Sequence, residues 1–118
     1  MKRLSVVESE MLAQKFRTHL GVSMTEPICV KTVLRKLSVL TMYRPLSDGS
    51  YGISAKSESG RMFMMVNCNS TIGRQHFTVA HELYHLFYDD NPEPHMCGGV
   101  ATGVEKDANL FASALLMP

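Results

Sequence analysis

With 118 residues and 45% hydrophobic content, the chain carries enough apolar material for one core and too little for two, and a domain of this size buries about two-thirds of its unfolded surface. A formal net charge of +1 excludes a polyelectrolyte that meets nucleic acid through bulk charge. There is no apolar run of about 18 residues to span a membrane and no charged-then-apolar leader ending in small residues, so the reading is one domain over residues 1–118, neither secreted nor membrane-spanning.

In chain order the pattern is helical, then extended, then helical. Val7, Met11, Leu12, Phe16 and Leu20 recur at helical spacing and Gly21 follows as a stop, which predicts a helix near residues 6–20. Pro27 suits the first position of a second helix carrying Ile28, Val33, Leu34 and Leu37. Strands are expected from Val39 to Tyr43, Tyr51 to Lys56 and Arg61 to Asn67. Their separators, Ser47-Asp48-Gly49-Ser50 and Ser57-Glu58-Ser59-Gly60, are turn-forming. Connections this short favour an antiparallel meander, so the expected class is α+β, a three-stranded antiparallel sheet packed with helices.

The run His81-Glu82-Leu83-Tyr84-His85 carries the chemistry. On a helix, residues four apart lie roughly 6 Å apart along the axis and about 40° apart around it, so the two imidazoles can reach one ion. Glu82 falls on the flank of that face, where it can touch a water beside the ion without being a ligand, as a general base must. Phe77, Ala80, Leu83, Leu86 and Phe87 supply the apolar side of the same helix. Catalytic zinc usually holds three protein ligands, and His95, Cys97, Glu105 and Asp107 are the downstream candidates for the third. A loop of roughly fifteen residues separates the motif from a second amphipathic helix, which runs from Glu105 to Pro118 with Leu110, Phe111, Ala114, Leu115 and Met117 as its apolar positions. Glu105 and Asn109 share one face of it at i, i+4, the arrangement of a ligand carboxylate with a supporting amide; Asp107 is off that face. His76, Tyr88 and His95 are candidate donors to an oxyanion.

Together, Arg74-Gln75-His76-Phe77-Thr78-Val79-Ala80-His81-Glu82-Leu83-Tyr84-His85 and Glu105-Lys106-Asp107-Ala108-Asn109-Leu110-Phe111-Ala112, the latter followed by Leu115-Leu116-Met117-Pro118, resemble the paired signatures of the ImmA/IrrE family of metallopeptidases. A weaker likeness runs through Gly60 to Asn67, and the resemblance covers the chain from about Val6 onward; it departs at Tyr84, where many members carry Gly. It implies a zincin-like fold, a Zn2+ ion held by His81, His85 and Glu105, and Glu82 as base. It also implies a cleft-lining strand, Met62, Met64 and Val66, to whose edge an extended substrate adds. The residues alone allow a second reading of that strand, as one buried between helix and sheet. The implied substrate is a specific protein, typically a helix-turn-helix DNA-binding repressor whose cleavage releases transcription in a mobile element or stress response.

Three widely spaced cysteines, Cys29, Cys68 and Cys97, fit a reducing compartment rather than a disulfide framework, and the expected location is the cytoplasm. Residues 1–44 hold eight Lys or Arg against three Glu, a balance of +5; residues 45–118 hold four against eight acids, a balance of −4. The basic set of Lys2, Arg3, Lys15, Arg17, Lys31, Arg35, Lys36 and Arg44 is scattered without aromatic interleaving and reads as solvated helix faces, not a nucleic-acid footprint. The rival to an enzyme is a toxin-antitoxin-type protein-binding module with a zinc site and little turnover. Glu82 weighs against it, since a structural ion has no use for a neighbouring base.

Overall fold

The computed structural model describes residues 5–23, 26–47, 50–88, 95–98 and 103–116, with only the backbone of 95–98, 103 and 104. Helix α1 (Val6–Leu20) is closed at both ends. Ser5 Oγ accepts from the Glu8 N–H at 3.1 Å while the Ser5 N–H donates to Glu8 Oε1 at 3.2 Å, a capping box. At the far end Gly21 adopts φ 74°, and the N–H groups of Gly21 and Val22 return to the carbonyls of Thr18 and Arg17. The packing stripe is not the expected one: Val7 and Met11 are exposed, and the buried face is Ser9, Ala13, Phe16, Arg17 and Leu20. Small Ser9 and Ala13 allow α1 to lie against α4 (Gly103–Leu116).

The basic residues are not all solvated. Arg17 is fully buried, donating through Nε and Nη2 to the Leu115 carbonyl at 3.1 and 2.8 Å, and through Nη1 to the carbonyls of Ser23 and Glu26 at 2.6 and 2.8 Å. One guanidinium thus satisfies a C-terminal carbonyl of α4 and ties down the link that follows α1. Burial lowers its pKa from the ordinary value, against an opposing pull from Glu26, and the group stays charged. Lys36 Nζ likewise donates to the Leu20 carbonyl at 2.9 Å. Helix α2 (Val30–Lys36) starts later than Pro27 would suggest, with Cys29 as its N-cap. The Glu26 carbonyl, which a helix opening at Pro27 would use for its first turn, is taken by Arg17.

The fold is α+β, and the described residues form a mixed sheet of four strands where three antiparallel ones were expected: β1 (Val39–Arg44), β2 (Ser50–Lys56), β3 (Met62–Asn67) and β4 (His95–Gly98), in the order β1-β3-β2-β4. The first three bounds match the sequence to within a residue, but the meander does not form. β1 pairs parallel with β3, and β2 pairs antiparallel with β3 and with β4. The chain after β1 therefore crosses the end of β3, where Asn67 holds it: Oδ1 accepts from the Leu46 N–H at 3.2 Å and Nδ2 donates to the Ser50 carbonyl at 2.7 Å. β4 forms within the stretch expected to be loop. β3 is an inner strand paired along its length on both sides, so Met62, Met64 and Val66 do not form a sheet edge; Met64 and Val66 are core residues.

Helix α3 (Ile72–Tyr88) starts after Thr71, whose Oγ1 accepts from the Arg74 N–H at 3.1 Å. Every residue from Thr78 to Leu86 is buried, so this part of the helix has no solvent face, and the amphipathic helix expected from the apolar spacing becomes a central one. The sheet lies on one side of it and α4 on another. The core joins Val39, Met64 and Val66 to Val79, Leu83 and Leu86 of α3 and to Ala108, Phe111 and Leu115 of α4.

Because Met64 lies in an inner strand paired on both sides, Met64→Pro is expected to unfold the protein, since proline cannot donate to the ladder of a central strand. Loss of the cooperative transition in urea, read by far-UV circular dichroism, checks this; a variant with near-native stability contradicts the inner position of β3.

Candidate metal centre

The buried part of α3 sends its polar groups in different directions. His81 and His85, four apart, face α4. Thr78 and Glu82, also four apart, face β2. Tyr84 and Tyr88 take a third direction, against Phe111 at 5.7 and 5.5 Å between ring centroids. Tyr84, at the position where the resemblance departs, therefore puts its bulk into the core.

The first pair converges with Glu105, in the first turn of α4. His81 Nε2 lies 3.0 Å from Glu105 Oε2 and 3.3 Å from His85 Nε2, and His85 Nε2 lies 3.2 Å from Glu105 Oε1. All three residues are buried and offer one ligand atom each within 4.8 Å of one another, a group that can hold a metal ion. The edges also fit. Nitrogen and oxygen ligands at the Zn–N and Zn–O distances of a tetrahedral site are about 3.3 Å apart.

The state of His81 sharpens that fit. Its Nδ1 stands 2.8 Å from Asn109 Oδ1, a carbonyl oxygen that can only accept, so Nδ1 carries a proton and Nε2 is the nitrogen turned to the carboxylate and to the other imidazole. The Glu105 carboxylate, buried between two imidazoles, is balanced by a positive charge or a donated proton. A cation, or a proton in its stead, is what the donor set calls for.

Glu82 follows His81 in the chain and is not a member of this group. The side chain is fully buried, and its Oε1 accepts from Ser54 Oγ on β2 at 2.5 Å. Two positions back on the same face of β2, Gly52 makes the close approach possible. A Cβ there would fall 2.7 Å from Thr78 Cγ2, 2.9 Å from the Met65 carbonyl oxygen and 3.8 Å from Glu82 Cγ. Neither Gly52 nor Ser54 entered the sequence reading. The available signal was weak: two small residues at a strand spacing of two, ahead of a helix that must seat closely.

Of the other candidates, Asn109 has the supporting position expected of it. Asp107 is buried but is not part of the convergent group. His76 is exposed near the start of α3. The Tyr88 ring packs edge-on against Phe16 at 6.2 Å and Phe111, towards α1 and α4, and burial raises its phenol pKa, so it remains a neutral donor. The side chains of His95 and Cys97 lie outside the described residues; by backbone register His95 stands opposite Ser54 and Cys97 opposite Gly52. No helix among the described residues is long and apolar enough to cross a membrane.

A buried two-histidine, one-carboxylate group beside a second buried carboxylate is the arrangement of a metallohydrolase. The family model described as the IrrE N-terminal-like domain, a peptidase family, matches residues 34–118, and the chain belongs to that family. The matched span takes in the sheet, α3 and α4, and so every residue of the centre. No curated protein matches the chain.

Asn109→Ala removes the acceptor that holds His81 Nδ1 and is expected to weaken metal binding by about 10–100-fold, whereas Asn109→Asp, which still accepts, retains it. Competition against a chromophoric chelator measures both; equal affinity in the alanine variant contradicts the assigned role.

Proposed function

We propose that the protein is a zinc-dependent endopeptidase in which His81, His85 and Glu105 hold the ion and Glu82 is the general base. The observation that carries this reading is the position of Glu82, buried next to three converging ligands yet bonded to Ser54 and not a member of the ligand group. A purely structural site would leave a buried carboxylate there without a task, which favours turnover over a binding module. The ion, when bound, would polarise the scissile carbonyl and lower the pKa of the attacking water. Glu82 takes the proton of that water and returns it to the leaving amine, and its burial keeps the transferred proton from bulk solvent. Asn109 keeps His81 in the tautomer that can bind the ion.

The proposed substrate is a specific protein, with a helix-turn-helix repressor as the reading taken from the family resemblance, and the proposed setting is the cytoplasm. Cys29 and Cys68 are free, in keeping with a reducing compartment. With β3 inside the sheet, an extended peptide has to use another strand. β4 is the last in the sheet order, and its His95 is in register with the serine that binds Glu82, so β4 is the edge nearest the base.

The test is a pair of measurements on wild type and Glu82→Gln. Both are expected to carry about one zinc per chain and to unfold alike. Cleavage of helix-turn-helix repressors offered as substrates, read by mass spectrometry of the new termini, is expected to fall by roughly 10²–10⁴-fold in the variant. Undiminished cleavage rules out Glu82 as the base; loss of zinc assigns it to the ligands.

A further inference from the structure

A buried carboxylate one residue away from a metal-binding histidine is itself a good ligand for the ion that histidine binds. Glu82 and Glu105 are both carboxylates, buried on helices that flank the same centre. The difference is in what each one touches. Glu105 contacts both imidazoles, whereas Glu82 Oε1 is turned to the sheet, where the Ser54 hydroxyl donates to it at 2.5 Å. A hydroxyl bound to a carboxylate at that distance makes a strong hydrogen bond, and both partners are buried from bulk solvent.

The geometry around Ser54 is built for this contact. Gly52 lets α3 seat against β2 to the point where a Cβ would collide with Thr78 and with the Met65 carbonyl. At that separation the short serine side chain spans the gap to Glu82. Ser54 sits on the inner strand β2, paired by β3 on one side and β4 on the other, so its position is held by two ladders.

We propose that Ser54 is the positioning residue that keeps Glu82 out of the coordination shell, holding it available as a base instead of letting it become a fourth protein ligand. The inference rests on the metal-centre reading above. The selectivity of the site for three ligands, and with it the open position a hydrolase needs, is then set by a hydroxyl on the sheet and not by the motif helix alone.

The test uses metal alone as the probe, on the full chain. Ser54→Ala is expected to free Glu82 to reach the ion, so Co2+ and Zn2+ bind severalfold more tightly and the visible absorption of the Co2+ form loses intensity severalfold as the coordination number rises. Ser54→Thr, which keeps the hydroxyl, is expected to match wild type. The double variant Ser54→Ala with Glu82→Gln is expected to return both affinity and spectrum to wild type, because the amide is a far weaker ligand than the carboxylate. A packing lesion at Ser54 moves affinity the other way and is not repaired by Glu82→Gln. Ser54→Gly serves in the same comparison if Ser54→Ala does not fold. A Co2+-loaded wild type with an unchanged spectrum and affinity in Ser54→Ala overturns this inference and leaves the metal centre standing. A weakened affinity that Glu82→Gln does not restore also overturns it. A wild-type chain that takes up neither ion overturns both readings.

Discussion

The burial on every side of α3 from Thr78 to Leu86 is the constraint from which the rest of the molecule follows. A central helix that carries two histidines and a glutamate in its buried half brings charged and polar groups into a place where each needs a partner, and unpartnered burial of such groups costs several kcal/mol apiece. The neighbouring elements supply those partners. α4 offers Glu105 and Asn109 to the histidines, and β2 offers Ser54 to Glu82. The two neighbours of α3 are therefore positioned by chemistry as well as by apolar packing, and displacement of either leaves a charge stranded.

That arrangement makes the position of α4 critical, and the chain secures it at both ends. Its first turn is attached to α3 through Glu105, while near its last turn the Leu115 carbonyl takes two bonds from the buried Arg17 of α1. Between these ends Phe111 is enclosed by Phe16, Tyr84 and Tyr88, with centroid separations of 5.5 to 5.7 Å. α1, far from the motif in sequence and without a residue in the centre, thus acts as the clamp that keeps the third ligand in place. A buried arginine in this role is worth more as a geometric constraint than as a source of net stability, since its desolvation offsets much of what its bonds return.

A carboxylate buried between two imidazoles is a place that favours positive charge, and the surrounding packing fixes the positions of all three groups. Such a donor set suits a cation. The peptidase family to which the chain belongs gives that arrangement a purpose. The fold also separates Glu105 from Glu82: the first faces the imidazoles and the second faces the sheet.

The sequence by itself determined what depends on local spacing. His81 and His85 at i, i+4, the Glu105–Asn109 pair at i, i+4, the capped start and glycine stop of α1, and the first three strands are consequences of helical and extended periodicity or of turn chemistry, which short-range geometry enforces. Only the tertiary structure decided the pairing order of the strands, the inner position of Met62, Met64 and Val66, the exposure of Val7 and Met11, the late start of α2 and the partner of Glu82. Each of these depends on groups distant in the chain: Asn67 holding the crossover after β1, Arg17 claiming the Glu26 carbonyl, Gly52 and Ser54 meeting a helix about 28 residues further on. Periodicity says which face of an element is apolar. It carries no information about which other element will cover that face, because that choice is made by long-range packing and by the polar groups that have to be satisfied once packing has buried them.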